Sequence, residues 1–297
     1  MKKTLGFTSL FLAAMSFGSF GIWIRLLNKE ISIYQQIVLR NSFALVIVVL
    51  IVLLTKQFKN IEWKKMKKLN LALYIFLIPL AVIAYNIAMI NAKIAIATFA
   101  FYVGTILTGW FAGIFFYQEK LNREKLLALF FVILGLGLFA YPFSNMSINL
   151  GFIAGIVSGV LDGAANIFRK DLAGKISKLI LVLLTAIGGV FVSGIMMLYF
   201  KQSLYSFYTV SATTWIVGAF FGFLLIVINY LLLLGFQNFD LGLGSIVLSL
   251  ELLFALIFGM IVFNEIPTSR EMLGGLLILV AIVTPSLRLF LVRGENR

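Results

Sequence analysis

The sequence predicts an all-α integral membrane protein with ten transmembrane helices in two inverted five-helix repeats. Composition is the first reason. Hydrophobic residues make up 62% of the 297 and charged residues 12%, with a mean hydropathy of +1.09. A soluble domain is about half apolar and a quarter charged. The second reason is ten apolar stretches, each close to the roughly 20 residues that cross a hydrocarbon core. The third is an internal copy. Phe116-Tyr117-Gln118-Glu119, then Arg123-Glu124 and an apolar run, recurs about 146 residues later as Val262-Phe263-Asn264-Glu265, then Arg270-Glu271 and another apolar run. Repeats that each hold an odd number of spans must be inverted, a common plan of secondary transporters.

The spans cover 4–27, 33–54, 70–91, 94–117, 124–141, 150–168, 178–200, 213–236, 241–264 and 271–290. Span 1 follows Lys2-Lys3. Its apolar run is too long for a signal-peptide core and no small-x-small cleavage site ends it, so it is read as retained. Spans 2 and 3 are separated by a basic loop with Lys56, Lys59, Lys64, Lys65, Lys67 and Lys68. The short links after residues 91 and 236 make tight hairpins. The loop at 144–149 is the natural seam, giving a first repeat over 1–146 and a second over 147–297.

Loop charge sets the orientation. With the N-terminus inside, 18 Lys and Arg fall on the cytoplasmic side and five outside (Arg25, Lys29, Lys93, Lys201 and Arg270), with Arg40 left within span 2. Basic loops stay on the inner side during insertion, so both termini are expected in the cytoplasm and the protein in the cell (inner or cytoplasmic) membrane. Glu119 then ends span 4 inside, and Glu265 ends span 9 outside. The net charge of +13 is read as this loop bias and not as a nucleic-acid surface.

Chemistry is narrowed by what is missing. The chain has no cysteine and no histidine, which removes disulfides, thiolate metal sites and the usual near-neutral proton carrier. Gly242-Leu243-Gly244 lacks the rest of a dinucleotide fingerprint, and there is no phosphate loop. No cofactor, no metal and no enzyme activity are expected.

Several segments, in order, carry a resemblance: Phe17-Gly18 in span 1, Arg40 near the start of span 2, Ser249-Leu250-Glu251 with Phe254-Ala255-Leu256 in span 9, and Glu265 followed by Gly274-Gly275-Leu276-Leu277-Ile278. The pattern resembles the drug/metabolite transporter superfamily, specifically its ten-span EamA-type permeases. The resemblance implies a basket of spans 1, 3, 4, 6, 8 and 9 around a central cavity, with spans 5 and 10 outside it, and movement of a solute by alternating access. Two departures stand out. Where that family carries a proline after the span-9 Glu, this chain has Leu252, and the span-4 counterpart is Thr105. Both helices are therefore expected to be more regular.

Ionisable groups within spans are costly and so are functional candidates. Asp162 in span 6 and Glu251 in span 9 are the two carboxylates well inside. Asp162 shares a small, polar face with Gly151, Gly155, Gly159, Asn166 and Arg169 or Lys170. It either binds a substrate amine or carries a proton, or it pairs with Arg169. Glu251, with Gly244, Ala255 and Gly259 on its face, is either a coupling or cavity residue or a brace between helices. Arg40 is expected in a structural ion pair or as an anchor, with Glu251, Asp162 or a backbone carbonyl as partner, and the alternative is binding of a substrate carboxylate. Glu119 and Glu265 are expected to cap helices or pair with Arg123 and Arg270. Asn86, Thr98, Tyr102, Thr105, Asn166, Asn229 and Tyr230 are neutral groups on cavity helices, either lining it or bonding between helices. Phe17, Trp23 and Phe101 are further candidates, otherwise packing.

The expected function is a secondary transporter of a small neutral or zwitterionic, amino-acid-like metabolite, with export favoured and proton coupling a candidate. The alternatives are an uptake permease for an aromatic vitamin or nucleobase, and a non-transporting accessory or structural membrane subunit. Expected partners are the small-molecule substrate and the lipid bilayer, not nucleic acid, with the chain a monomer or a homodimer.

Overall fold

The computed structural model describes residues 2–57, 67–91, 94–140, 150–203, 206–264 and 266–294. Most of the basic 55–69 loop, the 144–149 seam and Glu265 lie outside the described residues. Within them the chain forms helices and no strand: α1 (Lys2–Gly18), α2 (Phe20–Leu27), α3 (Ile33–Leu54), α4 (Lys68–Asn91), α5 (Ile94–Tyr117), α6 (Arg123–Ala140), α7 (Leu150–Leu172), α8 (Lys178–Tyr199), α9 (Ser206–Thr209), α10 (Ala212–Asn238), α11 (Leu241–Leu248), α12 (Glu251–Phe263) and α13 (Ser269–Gly294). Counting α1 with α2 and α11 with α12, eight membrane-capable spans are found among the described residues. Predicted spans 5 and 10 correspond to α6 and α13, which are not among the eight. α6 is 18 residues long and opens on Arg123, Glu124 and Lys125, which leaves it a short apolar run.

Local chemistry explains where several helices begin and end. Ser32 caps α3 by a reciprocal box in which the Gln35 amide donates to Ser32 Oγ and the Ser32 amide donates to Gln35 Oε1, satisfying two donors that a helix start leaves free. Ser211 does the same for the Thr214 amide at the start of α10. Asn264 ends α12 in the left-handed region, φ 53°, and its amide returns to the Gly259 carbonyl, a conformation Asn tolerates better than most residues.

Spans 1 and 9 are each broken. The break in span 9 corrects the expectation that loss of the family's proline would straighten it. Ser249 bonds back to Ile246 (3.1 Å), Leu250 to Val247 (3.2 Å) and Leu252 to Ser249 (3.2 Å), so the chain takes a tight i→i+3 turn between α11 and α12. Ser249 Oγ also donates to the Ile246 carbonyl at 2.7 Å, offering the backbone an alternative to its helical ladder. Span 4, with Thr105 in place of proline, does run as one helix. The broken spans meet: a Cβ on Gly18 would lie 2.5 Å from Phe254 Cβ and 3.0 Å from the Glu251 carbonyl oxygen. Only glycine permits that approach.

Packing runs between the halves more than within them. α7 packs on α4 and α5, while α1 packs on α10, α11 and α12. α3 packs on α8 and α10, α4 packs on α8, α5 on α11, and α6 on α13. Exchange α1–α2 for α7, α3 for α8, α4 for α10, α5 for α11–α12 and α6 for α13, and this contact pattern maps onto itself. The α5–α7 contact is the tightest: a Cβ on Gly159 would fall 2.0 Å from the Phe101 carbonyl oxygen and 2.8 Å from the Thr105 amide. Large apolar side chains such as Leu54, Phe115, Phe116 and Ile216 remain exposed on the outside, as a lipid-facing surface requires.

Candidate functional site

A cavity of about 130 Å³ opens among α1–α5, α7, α8 and α10–α12. One water needs roughly 10–15 Å³ of such volume, so the space suits a solute of on the order of ten heavy atoms. Its walls are mostly apolar, Phe17, Phe20, Ile24 and Phe101 among them, and they carry two basic and two acidic side chains: Arg40 and Arg169, Asp162 and Glu251. α3 and α8 line it in addition to the six spans the resemblance implied, and no described side chain of α6 or α13 does.

Two of the four charges are paired. Arg169 Nη1 donates to Asp162 Oδ1 at 3.1 Å, and Asn166 Nδ2 donates to Asp162 Oδ2 at 3.1 Å. Arg169 also donates to Asn166 Oδ1. The seven-residue spacing in α7, two turns, puts all three on one face.

Glu251 has a neutral hydrogen-bond partner. Its Oε2 meets the Tyr102 hydroxyl, and that hydroxyl also lies 3.0 Å from the Leu248 carbonyl oxygen. The break in span 9 has released that carbonyl, since the Leu252 amide bonds Ser249 instead. Thr105 Oγ1 donates to the Gly159 carbonyl (3.1 Å), and Asn229 Nδ2 to its own helix at Leu225 (2.9 Å).

Donors are in surplus. Arg40 Nε, Asn86 Nδ2 and Arg169 Nε are buried without a hydrogen-bond partner, and all three residues line the cavity. Among the described residues no group of three acidic, His or Cys side chains is placed to hold a metal ion.

The sequence pattern of the EamA-like transporter family matches residues 4–141 and again 149–286. The chain belongs to the EamA-like transporter family. It is accordingly a multi-pass membrane protein of transporter type, with two EamA repeats. Among solved structures, a crystal structure of a protein superposes with a TM-score of 0.77 at 13% identity, covering 96% of either chain. At that identity the likeness shows the fold alone. No curated protein matches the sequence.

Within this EamA-like chain, Arg40, Asn86, Tyr102, Thr105, Asp162, Asn229 and Glu251 all reach the cavity, as do Phe17 and Phe101. Asn166 stands behind the wall, fully buried against Asp162 and Arg169. Tyr230 is elsewhere, 39% exposed. It follows Asn229 in a helix that turns about 100° per residue, so only one of the pair can face inward. Trp23 packs on Phe220 (4.7 Å) and donates to Ser19 Oγ (3.0 Å). Thr98 bonds Tyr85 (3.3 Å). Arg40 was expected in an ion pair. It sits instead over the Phe221 ring, 4.7 Å from its centroid, with no salt bridge to a carboxylate among the described residues. Tyr85, Asn41, Ser158 and Thr185 also line the cavity. A neutral polar group on an apolar helix looks the same in sequence whether it lines a cavity or bonds a neighbour.

Glu119, just past the end of α5, ties helices together. Its carboxylate accepts from Lys170 Nζ (2.9 Å) and from the Leu241 amide that begins α11 (2.8 Å). Lys125 stands 3.9 Å away and pairs with Asp240 at 2.8 Å. Burial pushes the Asp240 carboxyl up, but the Lys125 ammonium, with Lys3 and Lys170 near, outweighs it and holds it below the usual range.

Proposed function

We propose that this EamA-like protein is a ten-span secondary transporter that exports a small zwitterionic, amino-acid-like metabolite by alternating access. Its repeats over 1–146 and 147–297 would be inverted about the cavity. It would sit in the cell membrane with both termini in the cytoplasm, the side the basic loops favour. The observation that carries the reading is a mostly apolar cavity whose lining includes ionisable groups of both signs and several aromatic side chains. Such groups are expensive inside a membrane, and a solute with matching charges and an apolar body uses them.

Proton coupling would run through Glu251. Tyr102 has one hydroxyl proton and two acceptors beside it. If it donates to Leu248, the contact with Glu251 needs a proton on the carboxyl. If it donates to Glu251, the Leu248 carbonyl is left without a donor. Protonation of Glu251 therefore decides whether the break in span 9 is bridged to α5. The ionisable groups facing Glu251 are Tyr102 from α5, Tyr85 from α4 and Asp162 from α7.

The test is a thermal-shift screen of metabolites on the purified protein, followed by flux into liposomes with and without a pH gradient. Wild type should respond to the gradient. Glu251→Gln should keep exchange at equal pH and lose about tenfold or more of the gradient response. An unchanged response in that variant removes the proton from Glu251. If no metabolite binds or moves, the transport reading itself fails.

A further inference from the structure

We propose that Arg40 is the anchor for a carboxylate of the transported solute, which makes a free carboxylate the obligatory feature of the substrate class. The proposal deepens the transporter reading and rests on it.

Arg40 is 4% exposed and lines the cavity from α3. A buried guanidinium stays charged and is costly unless an anion or a set of acceptors meets it. Here nothing does. Among the described residues Asp162 takes Arg169, Glu119 takes Lys170 and Lys125, Asp240 takes Lys125, and Asp171 takes Lys175. Phe221 steadies the cation through its ring, an interaction that uses no N–H donor. The Nε proton is left without an acceptor, as is Asn86 Nδ2 in the same cavity. Unused donors call for an acceptor-rich ligand, and the planar fork of arginine matches a carboxylate.

Charge narrows the ligand further. Arg169 is neutralised by Asp162, so Arg40 and Glu251 are the cavity charges without an ionic partner. With Glu251 ionised the four groups sum to zero, which suits a zwitterion whose ammonium meets Glu251. With Glu251 protonated they sum to +1, which suits a monocarboxylate. A phosphate dianion would meet one unpaired cation and a competing carboxylate, so a monoanionic head is the better match. Phe17, Phe20 and Phe101, which also line the cavity, suit an apolar side chain.

The experiment measures the melting temperature and binding affinity of the purified full-length protein with matched probes: L-phenylalanine, L-leucine, phenylacetate, L-phenylalaninamide and phenethylamine. The amino acids should bind at least about tenfold more tightly than the amide or the amine, the size of a charge-assisted hydrogen bond. Arg40→Gln should erase that preference, and Arg40→Lys should restore part of it. The comparison on wild type needs no variant, so a failure of Arg40→Gln to fold leaves the question decidable. Amide and acid binding alike to wild type, or an acid preference that survives Arg40→Gln, overturns the anchor. If no carboxylate binds but phenethylamine does, the anchor also falls while an organic-solute transporter stands. If phenylacetate binds and the amino acids do not, the anchor stands and the zwitterion reading falls.

Discussion

Glu30, in the short link between α2 and α3, accepts from the Ser211 amide (2.8 Å), the Ser211 hydroxyl (2.8 Å) and the Thr214 hydroxyl (2.9 Å). Those donors, the Ser211 amide first, hold its carboxyl below the ordinary 4.5, because each stabilises the charged form. A depressed folded value means that the contact is fully present above pH 4.5 and fades as pH falls through the lower value. The protection factors of the amides at the start of α10, with the intrinsic pH dependence of exchange divided out, should therefore hold from neutral pH to about 4.5 and fall below it. Glu30→Gln should show the faster exchange throughout, and a flat profile in wild type would remove the carboxylate from this role. Single residues were unevenly legible. Glu251 and Asp162 stand out in sequence because a carboxylate in an apolar run is rare, and the Asp162–Arg169 pair follows from two turns of one helix. Nothing local says that Arg40 has no counter-ion, or that Tyr230 turns away while Asn229 turns in. Both depend on which helix lies opposite.

At the scale of elements, the contact between α5 and α7 is the sharpest. Gly159 allows the α5 backbone to come so close that any Cβ would strike the Phe101 carbonyl, which is main chain and cannot swing aside. Gly159→Val should separate the two helices and cost about 1–3 kcal/mol of stability, the usual range for overpacking. The same change at Gly21, which has open space beside it, should cost well under half as much. Thermal unfolding in one detergent compares them, and equal losses would show that the close approach does not matter. Apolar runs of about 20 residues make the helices legible in sequence. The two breaks were not, since the span-9 turn forms without a proline, from Ser249 and i→i+3 bonds.

For the whole molecule, the repeat boundary in sequence is not a boundary in packing. α3 finds its main contacts on α8 and α10, and α1 on α10, α11 and α12, so neither half has a core of its own. Residues 1–146 or 147–297 expressed alone should be degraded or remain unfolded in the membrane. The two halves co-expressed as separate chains should assemble and recover binding. A single half that folds stably by itself would contradict the interleaved packing. The internal copy of sequence around Glu119 and Glu265 did announce two repeats, and the family match confirms them.

The sequence alone determined that this is a helical membrane protein of duplicated design, because helix length, hydropathy and the repeated motif are local properties. It also singled out the carboxylates, because charge in an apolar stretch needs no partner to be noticed. Only the tertiary structure decided which groups share a cavity, which charges are matched and which donors are left over. A side chain's partner comes from another helix, tens of residues away, and no periodicity along one span encodes it.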